Sequence, residues 1–254
     1  IYMIYIGNVP LDNQIPKICV PLVGQTIDAL QEECRYLQDK PYDVVEFRVD
    51  FLRGVTQDGM MMAALQAVRQ VLPHSPLLCT FRTKAEGGEA AISDCDYAAL
   101  LTQAVQSGLI DAIDIEYFRS RECMEPVIRL AKEKGVTIVM SSHDFQKTPP
   151  FEEIVQRLLG MKQQGADAAK LACMPQCARD VLTLLQATEH VKTLYPDEPL
   201  ITMAMGQLGV ISRISGEVFG SAMTFGAAKK ASAPGQLDIA TLRDMLQVLH
   251  GNRI

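Results

Sequence analysis

The 254-residue chain has no long apolar run and no cluster of basic residues. No window approaches the roughly 20 consecutive apolar residues that a transmembrane helix needs. The apolar N-terminal run, residues 1–6, is too short for a signal peptide. A net charge of −6 would repel a polyanion. We therefore expect neither a membrane nor a nucleic-acid partner, and we expect a cytoplasmic location.

Cysteines at metal-binding spacing are also missing. The seven cysteines are scattered and odd in number, which is typical of reduced, mostly buried thiols rather than of a disulfide framework. Cys173 and Cys177 lie four residues apart, but no third or fourth ligand lies close by at the spacing of a zinc site. We therefore expect no metal site.

What the chain does contain is a repeated alternation of short β-rich runs with longer helical runs. Most of the β-rich runs are compact and apolar, as in parallel sheets covered by helices. Eight strands are predicted, over residues 17–23, 43–50, 76–82, 111–117, 136–143, 167–172, 199–205 and 221–225. Eight such strands in a chain of this length predict an α/β fold, a (β/α)8 TIM barrel, with residues 1–254 forming a single catalytic domain.

The segments between these strands carry apolar residues at helical spacing, as over residues 26–40. The seventh connection, residues 210–220, is short and rich in glycine, so it fits a helix less well. Before the first strand, residues 1–6 and 9–11 flank Gly7 and Asn8, a pattern typical of a β-hairpin. We expect this N-terminal β-hairpin to cover the N-terminal mouth of the barrel.

Ionisable residues recur near the C-terminal ends of the predicted strands, where barrel enzymes build their active sites. In the second strand, Glu46, Arg48 and Asp50 alternate with apolar residues, so a period of two places all three charges on one face. Three charges on one strand face would be costly in an ordinary core, and an active site explains them better. Charged groups also occur on the next three strands, at Arg82, Asp114, Glu116 and His143.

Lys170 lies in an otherwise apolar strand, residues 168–172. Loss of hydration disfavours an ammonium ion and lowers the pKa of a buried lysine. A neutral amine can attack a ketone and form an imine, also called a Schiff base. The alternative interpretation is a structural ion pair with a neighbouring carboxylate.

His143 is the one histidine of four that ends a predicted strand, and that strand directly precedes the strand of Lys170. Its pKa suits proton transfer near neutral pH, although a lone histidine is often structural. Glu86 lies in the Glu86-Gly87-Gly88 loop after the third strand and would orient the imidazole of His143. The alternative for Glu86 is a solvated loop carboxylate.

Two further loops favour an anion-binding site. Arg213 follows the seventh strand, and residues 231–236, which include Ser232 and Gln236, follow the eighth. An arginine fork with nearby hydroxyl and amide groups fits a phosphate or a carboxylate equally well. The Gly and Pro content of this segment, next to Lys229 and Lys230, predicts a lid that closes over the substrate.

Taken in order, these motifs resemble those of the type I 3-dehydroquinate dehydratases. The resemblance extends from Pro16 to about Leu249. It rests on residues 46–50 (EFRVD), 81–83 (FRT), 86–88 (EGG), 142–145 (SHDF), 170–172 (KLA), 203–206 (MAMG), 212–213 (SR) and 231–236 (ASAPGQ). Ser142 departs from the Asn, Tyr or His that the family pattern has before the catalytic histidine.

The resemblance implies dehydration of 3-dehydroquinate to 3-dehydroshikimate in the shikimate pathway, by a homodimer without metal or organic cofactor. Matching positions imply that Lys170 forms the imine, His143 is the general acid/base and Glu86 tunes His143. Arg213 would bind the substrate carboxylate. The two matching methionines, Met203 and Met205, would form the apolar wall of the pocket. The remaining matching positions would hold hydroxyl groups or shape the pocket: Glu46, Arg48, Arg82, Ser232 and Gln236.

Two other functions remain open on the sequence alone. A class I aldolase also combines a barrel lysine imine with acid/base residues, but it breaks a carbon–carbon bond and often needs a phosphate site. A non-catalytic barrel that binds a hydroxylated carboxylate would have affinity without an imine.

Overall fold

A computed structural model of the chain describes residues 3–229 and 232–251. The strands are β1 (Tyr5–Ile6), β2 (Val9–Pro10), β3 (Lys17–Leu22), β4 (Val44–Arg48), β5 (Leu77–Thr80), β6 (Ala112–Glu116), β7 (Thr137–Asp144), β8 (Ala168–Cys173), β9 (Leu200–Ala204), β10 (Met223–Ala227) and β11 (Leu237–Asp238). The helices are α1 (Ile27–Leu37), α2 (Met60–Val71), α3 (Asp94–Gln106), α4 (Arg121–Lys134), α5 (Phe151–Gln163), α6 (Ala178–Leu194), α7 (Val210–Ile214), α8 (Gly216–Phe219) and α9 (Ile239–Gly251). Strands and helices alternate from β3 onward.

Strands β3 to β10 form a closed parallel ring. Strands β3 to β9 pair in chain order, and β10 pairs with the other side of β3. The ring closes between β9 and β10, where Leu200 bridges Ser221 and the amide of Ala222 donates to the carbonyl oxygen of Leu200 at 2.7 Å. The predicted (β/α)8 TIM barrel is confirmed.

Serine hydroxyl groups complete the seam at which the ring closes. The amide of Thr202 donates to Oγ of Ser221 at 3.0 Å, and the amide of Ala204 donates to Oγ of Ser212 at 2.9 Å. Both amides are buried, and a buried amide without an acceptor is costly. These two side chains therefore stand in for the backbone acceptors that a fully paired neighbouring strand would supply.

The lower half of the barrel interior is an apolar core that the N-terminal hairpin closes. Strands β1 and β2 are antiparallel, and Ile6 and Leu11 are buried against inward-facing residues near the start of the barrel strands. These residues include Cys19, Val44, Leu78, Ala112, Val139 and Ala168. The predicted hairpin is confirmed at Tyr5–Pro10, whereas residues 1 and 2 lie outside the described residues.

Three predicted elements differ in detail. The second strand was expected to reach Asp50, but β4 ends at Arg48 and a 3-10 turn, Val49–Phe51, follows. Asp50 therefore does not lie on the strand face, and its carboxylate instead binds the guanidinium of Arg48. Strand β10 begins two residues later than predicted, at Met223. The seventh connection contains two short helices, α7 and α8.

Candidate active site

A cavity opens at the C-terminal ends of the barrel strands. All eleven residues predicted for the site line it: Lys170, His143, Glu86, Glu46, Arg48, Arg82, Met203, Met205, Arg213, Ser232 and Gln236. Further wall residues that sequence reasoning did not assign to the site are Gly87, Phe145, Ala172, Phe225 and Ala233. The site residues come from distant parts of the chain, and the common direction of the strands brings them together.

Lys170 is buried at the base of the cavity between two carboxylates. Its Nζ lies 3.4 Å from Oε1 of Glu46 and 3.3 Å from Oδ2 of Asp114. The same Nζ lies 4.3 Å from the centre of the Phe225 ring. The two carboxylates compensate the charge of a buried ammonium, and the aromatic face adds a cation–π contact. The ion pair considered as an alternative therefore exists, inside the cavity itself.

Arg82 links the carboxylates around Lys170 into one network. Its Nη2 lies 2.8 Å from Oδ2 of Asp114, while its Nη1 donates to Oε1 of Glu116 at 3.1 Å and to Oγ of Ser141 at 2.9 Å. Burial opposes the charged form of Asp114, but the positive charges of Arg82 and Lys170 prevail and lower the pKa of Asp114. Asp114 is therefore ionised, and the network fixes the position of Lys170.

Hydrogen bonds to neighbouring side chains also hold Arg48 and Glu46 in place. Nε and Nη2 of Arg48 donate to the two oxygens of Asp50 at 2.8 Å each, a bidentate pair. The same Asp50 accepts from the amide of Arg82 at 3.2 Å. Thr80 donates its hydroxyl to Oε1 of Glu46 at 2.9 Å. Side chains that are locked in this way present fixed charges to the cavity.

Glu86 binds His143 through two hydrogen bonds to one oxygen. Oε2 of Glu86 lies 3.0 Å from Nδ1 of His143 and accepts from the backbone amide of His143 at 3.0 Å. The short turn Lys84–Glu86 and the following Gly87, at φ +84°, place the carboxylate there. A side chain at position 87 would meet the ring of Phe145, 2.2 Å from the new Cβ. This close packing fixes the loop against strand β7.

Burial sets the protonation of this pair. Loss of hydration, followed by the charges of Arg82, Lys170 and Arg48, lowers the pKa of His143 well below its usual value. Burial raises the pKa of Glu86 to about 8, although Arg82 opposes this shift. Near neutral pH the pair therefore carries no net charge, whichever atom holds the shared proton.

Arg213 is a buried cation for which the described residues provide no carboxylate partner. Its Nη2 donates to the carbonyl oxygen of Pro234 at 2.9 Å, and its Nη1 lies 3.5 Å from the carbonyl oxygen of Phe225. Its Nε is buried without a hydrogen-bond partner. Burial lowers the pKa of Arg213 to about 10. An anionic ligand in the cavity would supply the missing counter-charge.

Part of the predicted lid lies over Arg213. The amide of Ser232 donates to Oε1 of Gln236 at 2.9 Å, and Nε2 of Gln236 donates to Oγ of Ser232 at 3.0 Å. Gly235 has φ +78°, and a Cβ there would lie 2.4 Å from the carbonyl oxygen of Gly206. Lys229 binds Glu32 of α1 at 3.0 Å, whereas Lys230 and Ala231 lie outside the described residues.

Ser142, the one departure from the family pattern, lies outside the cavity wall. Its neighbours Ser141 and His143 face the barrel interior, so strand alternation turns Ser142 outward. There its Oγ accepts from Nη1 of Arg157 on α5 at 3.0 Å.

Residues 3–229 and 232–251 contain neither a metal-binding cluster nor a membrane-spanning helix. No group of three or more His, Cys, Asp or Glu side chains is arranged to hold a metal ion. No helix in these ranges has both the length and the apolar character needed to cross a membrane.

The fold and the cavity together define a barrel enzyme whose polar site lies at the C-terminal mouth. The sequence profile described as type I 3-dehydroquinase matches residues 18–253. The chain belongs to the type I 3-dehydroquinase family, the type I 3-dehydroquinate dehydratases, which are hydro-lyases of the shikimate pathway. The predicted family is thereby confirmed, and the chain is a carbon–oxygen lyase acting on a small molecule.

Individual relatives agree with this assignment over nearly the full length. A 3-dehydroquinate dehydratase of Listeria monocytogenes serotype 4a (strain HCC23) is 50% identical over 247 residues, 97% of this chain and 98% of the relative. That of Clostridium novyi (strain NT) is 48% identical over 245 residues, 96% and 97% of the two chains. A crystal structure of the type I enzyme from Clostridium difficile with covalently modified comenic acid is 43% identical, with a TM-score of 0.96 and 99% coverage of each chain.

Proposed function

We propose that the enzyme dehydrates 3-dehydroquinate to 3-dehydroshikimate through an imine on Lys170, with His143 as the general acid/base. The observation that carries this proposal is the register of two adjacent strands. Ser141 of β7 pairs with Lys170 of β8, and His143 pairs with Ala172. Lys170 and His143 thus lie one inward-facing position apart and line the same cavity.

Lys170 would act first. His143 takes one proton from the lysine ammonium, and the neutral Nζ attacks the substrate ketone carbon. His143 then returns the proton to the hydroxyl group of the carbinolamine, and loss of one water molecule leaves a protonated imine. The imine cation draws electrons from the neighbouring carbon and makes its proton acidic. Glu46 and Asp114, which lie within 3.4 Å of the Nζ atom, stabilise the iminium charge that replaces the ammonium charge.

His143 would then move the protons. It removes the proton next to the imine carbon, the resulting enamine expels the β-hydroxyl group, and His143 returns the proton to form the departing water. Hydrolysis of the imine by another water releases the product and restores Lys170. The carboxyl group of Glu86 supports this cycle, because its contact with Nδ1 holds the imidazole in one orientation.

The rest of the cavity would bind the substrate. Arg213 is the natural partner of the substrate carboxylate, since the described residues leave its charge without a counter-ion. Glu46, Arg48, Arg82, Ser232 and Gln236 hold hydroxyl groups or shape the pocket, and Met203 and Met205 form the apolar wall near the ring. In this assignment Arg82 shapes the pocket, because its guanidinium is bound to Asp114, Glu116 and Ser141.

The same proposal includes the organisation of the protein. Residues 1–254 form one catalytic domain, two copies form a homodimer, and the enzyme works in the cytoplasm without metal or organic cofactor. The proposed reaction needs only the lysine amine, the histidine and water, and it consumes no further reactant.

Absorbance of the conjugated enone formed from 3-dehydroquinate tests the assignment. Lys170→Met and His143→Ala should each lower kcat by at least about 10²-fold. Lys192→Met, which removes a half-buried lysine far from the cavity, should leave kcat unchanged. A Lys170→Met variant that folds and keeps the activity of the unaltered enzyme would rule the mechanism out.

A further inference from the structure

Cys95 and Cys123 form a close thiol pair on the outside of the barrel. Their Sγ atoms lie 3.9 Å apart. Cys95 is exposed in the first turn of α3, and Cys123 is half-buried in the first turn of α4. No other two cysteines of the described residues make such a contact. Cys177, at the start of α6, is also exposed but has no thiol beside it.

This geometry suits a disulfide. The bond requires a separation of about 2.05 Å between the sulfur atoms, so the two must approach by roughly 2 Å. Each thiol lies in the first turn of its helix, and we expect side-chain rotation to provide this movement. The exposed Cys95 gives a small oxidant access to the pair.

We propose that Cys95 and Cys123 are a site of reversible oxidation, at which a small-molecule disulfide converts the two thiols into an internal disulfide that links α3 to α4. The thiolate of one cysteine attacks the small disulfide and releases one small thiolate, forming a mixed disulfide. The second cysteine then attacks the protein-bound sulfur and releases the other small thiolate. The protein loses two electrons and two protons, and the small disulfide is reduced to two thiols.

Burial keeps four of the other five cysteines out of this reaction. Cys19, Cys34, Cys79 and Cys173 are buried. Burial raises the pKa of Cys34 and of Cys79 to about 12, so neither forms the reactive thiolate. The hydrogen bond with Cys123, and then the nearby negative charges, raise the pKa of Cys95.

The pair lies at the outer end of a chain of contacts that leads to the cavity. Asp94, next to Cys95, lies 2.7 Å from Nη1 of Arg119 and accepts from the amide of Ser120 at 3.2 Å. Nε of Arg119 lies 3.6 Å from Glu116, and Glu116 binds Arg82 of the cavity wall. A disulfide between the first turns of α3 and α4 would keep Asp94 and Arg119 close to each other.

The test treats the folded enzyme with oxidised glutathione, blocks the remaining thiols with an alkylating agent and maps the peptides by mass spectrometry. The expected product is a Cys95–Cys123 cross-linked peptide that has lost two hydrogen atoms and is restored by dithiothreitol. Cys95→Ser and Cys123→Ser should each abolish the cross-link and leave glutathione on the remaining thiol. Cys177→Ser, the matched exposed control, should form the cross-link as the unaltered enzyme does.

Three outcomes would overturn the proposal. Both thiols could remain open to alkylation after treatment, or both could carry stable glutathione adducts side by side. Alternatively, Cys95 could join two protein chains, which non-reducing electrophoresis would reveal as a linked dimer. Each outcome would show that the contact between the two sulfur atoms does not lead to an internal disulfide.

Discussion

One carboxylate oxygen of Glu86 contacts both nitrogen groups that His143 presents to it. The Oε2 atom lies 3.0 Å from the ring Nδ1 and 3.0 Å from the backbone amide nitrogen. The backbone contact fixes Glu86 relative to strand β7, and the ring contact fixes the imidazole relative to Glu86. His143 is therefore oriented before any substrate arrives.

The raised pKa of Glu86 predicts a pH-dependent stability. Burial raises the pKa of Glu86 from its ordinary value to about 8. Between pH 6.5 and 8 the folded protein thus keeps a proton that the unfolded chain has released, so the contribution of Glu86 to stability falls as the pH rises through this window. The lowered pKa of His143 has the opposite effect close to the ordinary histidine pKa of 6.5, and this effect fades as the pH rises further above that value.

Glu86→Gln should remove that pH dependence. In thermal unfolding experiments, the Tm of Glu86→Gln relative to that of the unaltered enzyme should increase from pH 6.5 to pH 8.5. The exposed Glu89→Gln is the control and should show no such trend. A Tm difference that stays constant over this pH range would contradict a protonated, buried Glu86.

Arg213 should contribute to substrate binding and little to folding. Because the described residues give this guanidinium no carboxylate partner, Arg213→Met removes a buried charge without breaking an ion pair. We expect Tm to change by no more than a few degrees, whereas KM for 3-dehydroquinate should rise by about 10²-fold, the effect of losing one charged contact.

Arg69→Met is the comparison for Arg213. Arg69 pairs with Asp111 at 2.8 Å and donates to the carbonyl oxygen of Leu109 at 2.7 Å, away from the cavity. This variant should lower Tm and leave KM unchanged. If Arg213→Met instead lowers Tm with no effect on KM, then Arg213 is a structural residue.

The serine hydroxyl groups that accept from the amides of β9 lead to a prediction about stability. Two serine substitutions should destabilise the fold, and a third should be neutral. Ser212→Ala and Ser221→Ala each leave a buried amide, of Ala204 or Thr202, without its acceptor. Each should lower the free energy of unfolding by about 1–3 kcal/mol, measured by urea denaturation. Ser215→Ala is the control, because the buried Oγ of Ser215 has no hydrogen-bond partner and its loss should cost little. Equal effects of all three would show that the seam does not depend on these hydroxyl groups.

Much of the fold could be predicted because parallel strands and their helices leave a local pattern. The apolar runs were enough to predict the barrel, and the charged residues on its strands indicated much of the cavity. Met203 and Met205 were assigned to the cavity only through the resemblance to the family. Asp50 was placed wrongly because the chain turns directly after β4, and an alternating pattern does not reveal this turn. In the turn Asp50 binds Arg48. Among the described residues Arg213 has no carboxylate partner, and this depends on which distant residues surround it. No spacing in the sequence indicates it.

The wall residues Phe145 and Phe225 were missed for a related reason. Both are apolar side chains in or beside barrel strands, and a sequence pattern assigns such residues to the core. Only the structure shows that Phe225 lies under Nζ of Lys170 and that Phe145 packs on Gly87. For Asp114 the sequence did offer a signal, because Asp114 and Glu116 share one face of the predicted strand. That pattern predicted a cluster of charged residues, but it did not indicate that Asp114 pairs with Lys170.

Borohydride reduction in the presence of 3-dehydroquinate tests the covalent role of Lys170 most directly. Borohydride converts the imine to a stable amine, and peptide mass spectrometry then locates it. We predict a single adduct on Lys170 that is absent from Lys170→Met. Folded, active enzyme that yields no adduct, or an adduct on another lysine, would contradict the mechanism proposed for this cavity.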